Sequence, residues 1–184
     1  MLLQCMSCGR ELLRNCTIEG KYTKRSYESF FPFASETAAL PTKVPDDIEA
    51  EFREAELCSA AAANRGASAL FRSTLEKTLK ANGYEDLSAK GHDKMRLQAK
   101  IDEAAADGII TEALRNRAHD EIRVLGNDVL HDSWMVISDE DVDAAYHYTQ
   151  RILEAFYDHR DSVEKILIAK KRINAPKSED PGAS

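Results

Sequence analysis

No apolar run in this chain approaches the roughly 18 residues that a membrane-spanning helix needs, so no membrane partner is expected. The start, Met1-Leu2-Leu3-Gln4-Cys5, has no basic region followed by a long apolar stretch, and a cytoplasmic location is expected. A surplus of positive charge is also missing. The formal charge is −7, and an acidic protein has no general attraction for nucleic acid, so any RNA contact must be local and salt-sensitive. Cysteine is sparse: four residues, two of them as Cys5-Met6-Ser7-Cys8, suit a reducing compartment better than a disulfide scaffold. There is no second Cys-x-x-Cys and no internal repeat.

With 184 residues, 43% of them hydrophobic, the chain suits one compact domain with extensions. The charge is uneven. Residues 1–45 hold six basic and four acidic side chains, 46–134 twelve and eighteen, and 135–184 seven and ten. Residues 1–45 also carry three of the four cysteines and the prolines Pro32, Pro41 and Pro45. That composition predicts an irregular or β-stranded arm.

Helical periodicity begins at Pro45-Asp46-Asp47, with Ile48, Phe52, Ala55, Ser59 and Ala62 on one stripe. Asn64-Arg65-Gly66 weakens the pattern, giving two helices or one kinked helix. Ala67, Leu70, Phe71, Thr74, Leu75, Thr78 and Leu79 then trace a second stripe that ends at Asn82-Gly83. A third helix is expected from about Asp93 to Asp107, closed by Gly108. Thr111 is the expected N-cap of a fourth. Ser138-Asp139-Glu140-Asp141 has the form of a capping box before Val142, Ala145, Thr149, Ile152, Leu153 and Phe156, and this last helix is expected to bend and run on through Val163 and Leu167 to Arg172. The expected organisation is an N-terminal arm over 1–45, a helical bundle over 46–173 and a disordered tail over 174–184.

The run from Ile122 to His131 carries the chemistry. Arg123, Asn127 and His131 stand at successive i+4 positions, on an arc about 80° wide of one helix. Leu114, Ala118, Ile122, Leu125 and Val129 fall nearly opposite. A cation, an amide and an imidazole therefore share a face the core does not need. Arginine binds phosphate oxygens and histidine moves a proton near neutral pH, so the trio suits a phosphodiester. Equally, the three could satisfy one another in a packed seam, and Val124 and Leu130 on either side favour a covered surface. Arg72 and Glu76 form a second i,i+4 pair, read either as a structural network or as a support for His131 or Arg123 from a facing helix.

The order Leu40-Pro41 with Val44-Pro45, Arg53-Glu54-Ala55, Leu70-Phe71-Arg72 with Leu75-Glu76, Gly108-Ile109-Ile110, and Ile122-Arg123 with Gly126-Asn127 and His131 resembles the bacterial family of domains of unknown function numbered 4145, over roughly residues 40–160. That family is similar to the HEPN superfamily of helical nucleotide- and RNA-associated domains, often found beside restriction and phage-defence modules. The resemblance implies an all-α HEPN-like bundle and a homodimer whose motif helices line a shared cleft, contacting RNA or a protein partner. Active superfamily members are metal-independent ribonucleases with Arg, a polar residue, three further residues and His. Asn127 and His131 match the last two, but Gly126 stands where the arginine is usual and Arg123 lies one turn earlier. A non-catalytic binding module is therefore the first expectation, and a metal-independent ribonuclease using Arg123, Asn127 and His131 the alternative.

Relatives of the family often carry a zinc ribbon ahead of the helices, and Cys5 and Cys8 look like one of its two knuckles. A structural zinc wants four ligands. Either a first knuckle is absent from this chain, or the ribbon has decayed, or two chains share the metal; no cofactor is expected for the helical domain. His147, within Tyr146-His147-Tyr148, is expected at the edge of the core, Trp134 is a candidate stacking or seam contact, and Lys170-Lys171-Arg172 reads as a solvated helix end.

Overall fold

A computed structural model of the chain describes residues 2–4, 11–19, 24–31, 37–84, 97–121 and 136–175, with side chains over 37–84, 97–118 and 136–175. The N-terminal arm forms three strands, β1 (Leu2–Gln4), β2 (Glu11–Glu19) and β3 (Lys24–Phe31), joined as an antiparallel sheet in sequence order. Leu3 faces Leu12 across the first pair and Thr17 faces Ser26 across the second, which is interrupted by a bulge at Asn15/Cys16.

Six helices follow among the described residues: α1 (Asp46–Ala60), α2 (Asn64–Ala81), α3 (Leu97–Ala106), α4 (Glu112–Glu121), α5 (Asp139–Tyr157) and α6 (Arg160–Ala169). This is the expected all-α bundle. α1 and α2 form a hairpin, α5 packs across α2, and α4 bridges α3 and α5. The core is built from the predicted stripes. Ile48, Phe52 and Ala55 of α1 meet Ala67, Phe71, Leu75 and Leu79 of α2 and Val142, Ala145, Ile152, Leu153 and Phe156 of α5, all buried. Phe52, Phe71 and Tyr146 make an aromatic cluster with ring centroids 5.4–5.8 Å apart, within the range of favourable edge and tilted contacts.

Three boundaries differ from the sequence expectation. The first break falls at residues 61–63, inside a run of four alanines, whereas Gly66 lies within α2. Helix propensity favours continuing through alanine, yet Ala62 takes φ +55° and the chain turns back. The turn is closed by backbone hydrogen bonds from Ala62 and Ala63 N–H to Ser59 O and Cys58 O, and Asn64 beyond it reaches Ile137 O and Asp139 across the bundle. The bend in the last helix is a full interruption at Asp158-His159, and its continuation stops at Ala169 before reaching Arg172.

Four helices close with one backbone device, the Schellman motif. Tyr84 N–H bonds Leu79 O and Gly83 N–H bonds Lys80 O; Ile109 and Gly108 repeat the pattern on Ala104 and Ala105. Ala63 and Ala62 repeat it on Cys58 and Ser59, and Arg172 and Lys171 on Leu167 and Ile168. The left-handed position is glycine in the first two and Ala62 or Lys171 in the others.

Caps set the starts. Thr111 Oγ1 accepts from Leu114 N–H, and Ser138 and Asp141 close a reciprocal capping box at the head of α5, as their sequence positions predict.

Candidate functional site

The trio Arg123, Asn127 and His131 lies outside the described residues, as do Trp134, Cys5 and Cys8. Both ends of the segment that holds the trio are placed. α4 runs to Glu121, two residues before Arg123, and the chain is described again from Val136, five residues after His131. Val136 is 80% exposed and Ile137 is buried, so the chain passes from surface to core in a single step.

That step occurs beside the first turn of α2. The Asn64 side-chain amide donates to Ile137 O at 3.0 Å and to Asp139 Oδ1 at 2.8 Å. Around this contact an open cleft of about 380 Å³ is lined by Ala62, Ala63, Asn64, Arg65, Gly66, Val136 and Ile137. α2 begins there without a side-chain cap and without an acidic residue in its first turn.

Arg72 and Glu76 lie farther along α2. The Arg72 guanidinium donates through Nε at 3.1 Å and pairs through Nη2 at 3.0 Å with one oxygen, Glu76 Oε1. Arg72 is 17% exposed and Glu76 44%, so the arginine is packed into the bundle and the carboxylate holds it from the solvent side. The pair is one turn of helix and more, as predicted, and Arg72 has a further partner besides Glu76.

Three polar clusters escaped the sequence reading. In the first, Glu56, with its side chain only 2% exposed, accepts from Arg53 Nη1 at 3.0 Å and from Ala38 N–H at 2.8 Å, while Arg53 also bonds Ala38 O and Glu49. It fastens the segment before α1 to the bundle. A carboxylate next to the Ile48-Phe52-Ala55 stripe was a signal, since buried charge needs a partner. The second cluster joins Arg160 of α6 to Asn82 at the end of α2; the Asn82 amide bonds Thr78 O and Tyr157 Oη, and the guanidinium lies 5.2 Å from the Tyr157 ring centroid. Sequence offers no signal for a contact across so long a separation.

The third cluster gathers just past the end of α2, around Tyr84. Asp107 accepts from Arg172 Nε at 2.8 Å and from Tyr84 Oη at 3.0 Å, Arg172 Nη1 pairs with Glu103 at 2.7 Å, and the guanidinium covers the Tyr84 ring at 4.7 Å. Burial first, and then the Asp107 hydrogen bond, push the Tyr84 hydroxyl well above the ordinary tyrosine range. Arg172 is therefore turned inward; of the basic run 170–172, it is not part of a solvated end. His147 is exposed and faces Asp143 at 3.4 Å, while its neighbours Tyr146 and Tyr148 pack inward.

Among the described residues no group of three or more His, Cys, Asp or Glu side chains is placed to hold a metal ion. Cys58 is a free thiol on α1 against the first turn of α2. A second cleft of about 460 Å³ between α4 and the end of α5 mixes Arg117, Arg151 and His159 with Glu154 and Asp158, so it favours neither sign of charge. No helix is long and apolar enough to cross a membrane among the described residues.

Comparison with curated proteins and with solved structures returns no match. A family model does match, over residues 53–175, a span that takes in the Arg72–Glu76 pair, the three positions of the trio and the helices from α2 to α6. The chain belongs to the family described as Domain of unknown function (DUF4145).

Proposed function

We propose that this chain is a non-catalytic, homodimeric HEPN-like binding module that contacts RNA or a protein partner in a phage-defence, restriction or stress system of bacteria. The observation that carries the reading is that the family match extends through Arg123, Asn127 and His131 on a chain whose described helices pack as a bundle. Read as a helix, the sequence would set the trio on the face its core-type stripe leaves free. On this reading Glu76, paired with Arg72 on α2, would orient His131 or Arg123 from a facing helix.

Gly126 sets binding ahead of catalysis. In an active site of this kind an arginine beside Asn127 would stabilise charge growing on the phosphorus oxygens. Arg123 reaches along the same arc from one turn away, which keeps a metal-independent ribonuclease as the second reading: His131 as general base on a 2′-hydroxyl or acid on the leaving oxygen, Asn127 orienting the phosphate, and a cyclic phosphate with a free hydroxyl as products. Cys5 and Cys8 would contribute two thiolates to a structural zinc, with the other ligands drawn from a second copy or from another knuckle.

The test is direct. Incubate the pure protein with mixed RNA in EDTA beside His131→Ala, and measure its mass by light scattering. A dimer that retains RNA or a protein partner without cutting RNA supports the module. Cleavage that survives EDTA and disappears in the variant supports the ribonuclease. A monomer at high concentration overturns both.

A further inference from the structure

We infer that a second copy of this chain docks antiparallel on the face shared by α4 and α5, with Arg151 of each copy paired to Asp158 of the other. The inference rests on the homodimeric reading above and gives that dimer a surface. Arg151 and Asp158 are both exposed, and neither side chain makes an ion pair or hydrogen bond among the described residues. The local sequence explains why. One turn before Arg151 stands His147 and one turn after it Ala155, neither of them an acid, and the carboxylate three residues on, Glu154, accepts from Gln150 at 3.0 Å. Asp158 has no lysine or arginine three or four positions away on either side, only Glu154, Ala155, Asp161 and Ser162. Two opposite charges are thus left without a local partner on one helix.

Their register makes them self-complementary. Seven residues carry a helix to within about 20° of two full turns, so Arg151 and Asp158 lie on one stripe about 10 Å apart. Asp158, just past the end of α5, keeps helical dihedrals at φ −62° and ψ −42°, so the spacing holds to the end. In an antiparallel pair whose two-fold axis passes midway between them, beside Ala155, each Arg151 is level with Asp158 of the other copy, and two equivalent ion pairs form. Ala155 has no long side chain to hold the helices apart. Exposed ion pairs add little by themselves, and the contact beside them is apolar: half-buried Ile109, Leu114 and Ala155 line the same open cleft of about 460 Å³. The charges also select the occupant. A phosphate drawn to Arg117 and Arg151 would meet Glu154 and Asp158 on the same lining, whereas a surface that brings both signs in reversed order matches both.

The test is charge reversal followed by mixing. Arg151→Glu places like charges at both contacts of the dimer, and so does Asp158→Arg. Each variant is expected to raise the dimer dissociation constant about tenfold or more at low salt, read by analytical ultracentrifugation, while circular dichroism stays that of the natural chain because both positions are exposed. Mixed in equal amounts, the two variants face each other with opposite charges at both contacts, so the mixture should regain most of the natural affinity as a one-to-one heterodimer in native mass spectrometry. Neither misfolding nor a change in net charge gives recovery on mixing. Natural affinity in both single variants, or a mixture no tighter than either alone, overturns this face and leaves the homodimer to another surface. A natural chain that stays monomeric at high concentration overturns the homodimeric reading and this inference together; RNA or protein retention lost in the same variants would then give the cleft a different occupant.

Discussion

Gly83 and Gly108 offer a controlled experiment built into the fold. Both sit at φ +83° at the left-handed position of a Schellman turn, so alanine meets the same backbone penalty at each. That penalty is about 1–2 kcal/mol for an L residue, offset by about 0.4–1 kcal/mol from the stiffer unfolded chain, leaving a net cost of about 1 kcal/mol. The surroundings differ. A Cβ on Gly108 meets nothing within 4 Å, whereas one on Gly83 stands 2.2 Å from Arg172 O and 2.7 Å from its carbonyl carbon. The obstacle is backbone, and Arg172 cannot simply withdraw, because its guanidinium is committed to Asp107, to Glu103 and to the face of Tyr84. Overpacking of this kind costs about 1–3 kcal/mol, and lifting the turn instead strips buried Asp107 of its ionic partner at greater cost. Gly83→Ala should therefore lose about 2–4 kcal/mol against about 1 kcal/mol for Gly108→Ala. Urea unfolding followed by circular dichroism at 25 °C, with equal slopes, measures both. Losses that agree within about 0.5 kcal/mol would refute the claim that the Arg172 turn is seated on Gly83.

The same device predicts a gain at Ala62, which holds φ +55° at an exposed turn: Ala62→Gly should raise stability by about 0.5–1 kcal/mol in the same assay. Asp107→Ala leaves Arg172 and Tyr84 without their shared acceptor and should cost about 3 kcal/mol, with Lys170, 3.7 Å away, contributing little. Stability should fall as pH rises past about 10, where tyrosines in the unfolded chain ionise while buried Tyr84 and Tyr157 keep their protons; the unfolded state then binds fewer protons than the folded one. Urea midpoints at pH 8 and 11 read this, and Tyr84→Phe should flatten the decline. If RNA is bound through Arg123 of two subunits, the logarithm of affinity should fall with the logarithm of salt at a slope of only about 1–2, and a slope above about 5 would point to a broad basic surface instead.

Sequence periodicity was sufficient for most of the bundle because its signals are local. The stripes of α1, α2 and α5, the Asn82-Gly83 and Gly108 stops, the Thr111 cap and the Ser138–Asp141 box depend on neighbours within a few residues. What periodicity missed depends on tertiary contact. The alanine run at 60–63 should propagate a helix by propensity, and it breaks where the chain turns back so that α2 packs on α1 and Asn64 bonds Ile137 O. Arg172 reads as a helix-end cation and is instead a packed group, since its acceptor Asp107 comes from an element 65 positions away. Of the candidate site, Arg72–Glu76 was legible as an i,i+4 pair, but the burial that separates an oriented guanidinium from an ordinary surface pair was not.

The bundle's own arginines narrow where a phosphate could bind. Arg53 is held by Glu49 and Glu56, Arg72 by Glu76, Arg115 by Asp102 and Glu112, Arg160 by Asn82 and Glu164, and Arg172 by Glu103 and Asp107. Each of these guanidiniums has at least one acidic partner within the same chain, and most are partly buried. Recruiting one for a phosphate would mean breaking an ion pair and leaving a carboxylate behind, at a cost that grows with its burial. In a chain with seven negative charges in excess, these five guanidiniums are therefore withheld from indiscriminate RNA binding. A nucleic-acid contact would then be local, and the run from Arg123 to His131, where the sequence sets a cation, an amide and an imidazole at successive i+4 positions, is the site proposed for it.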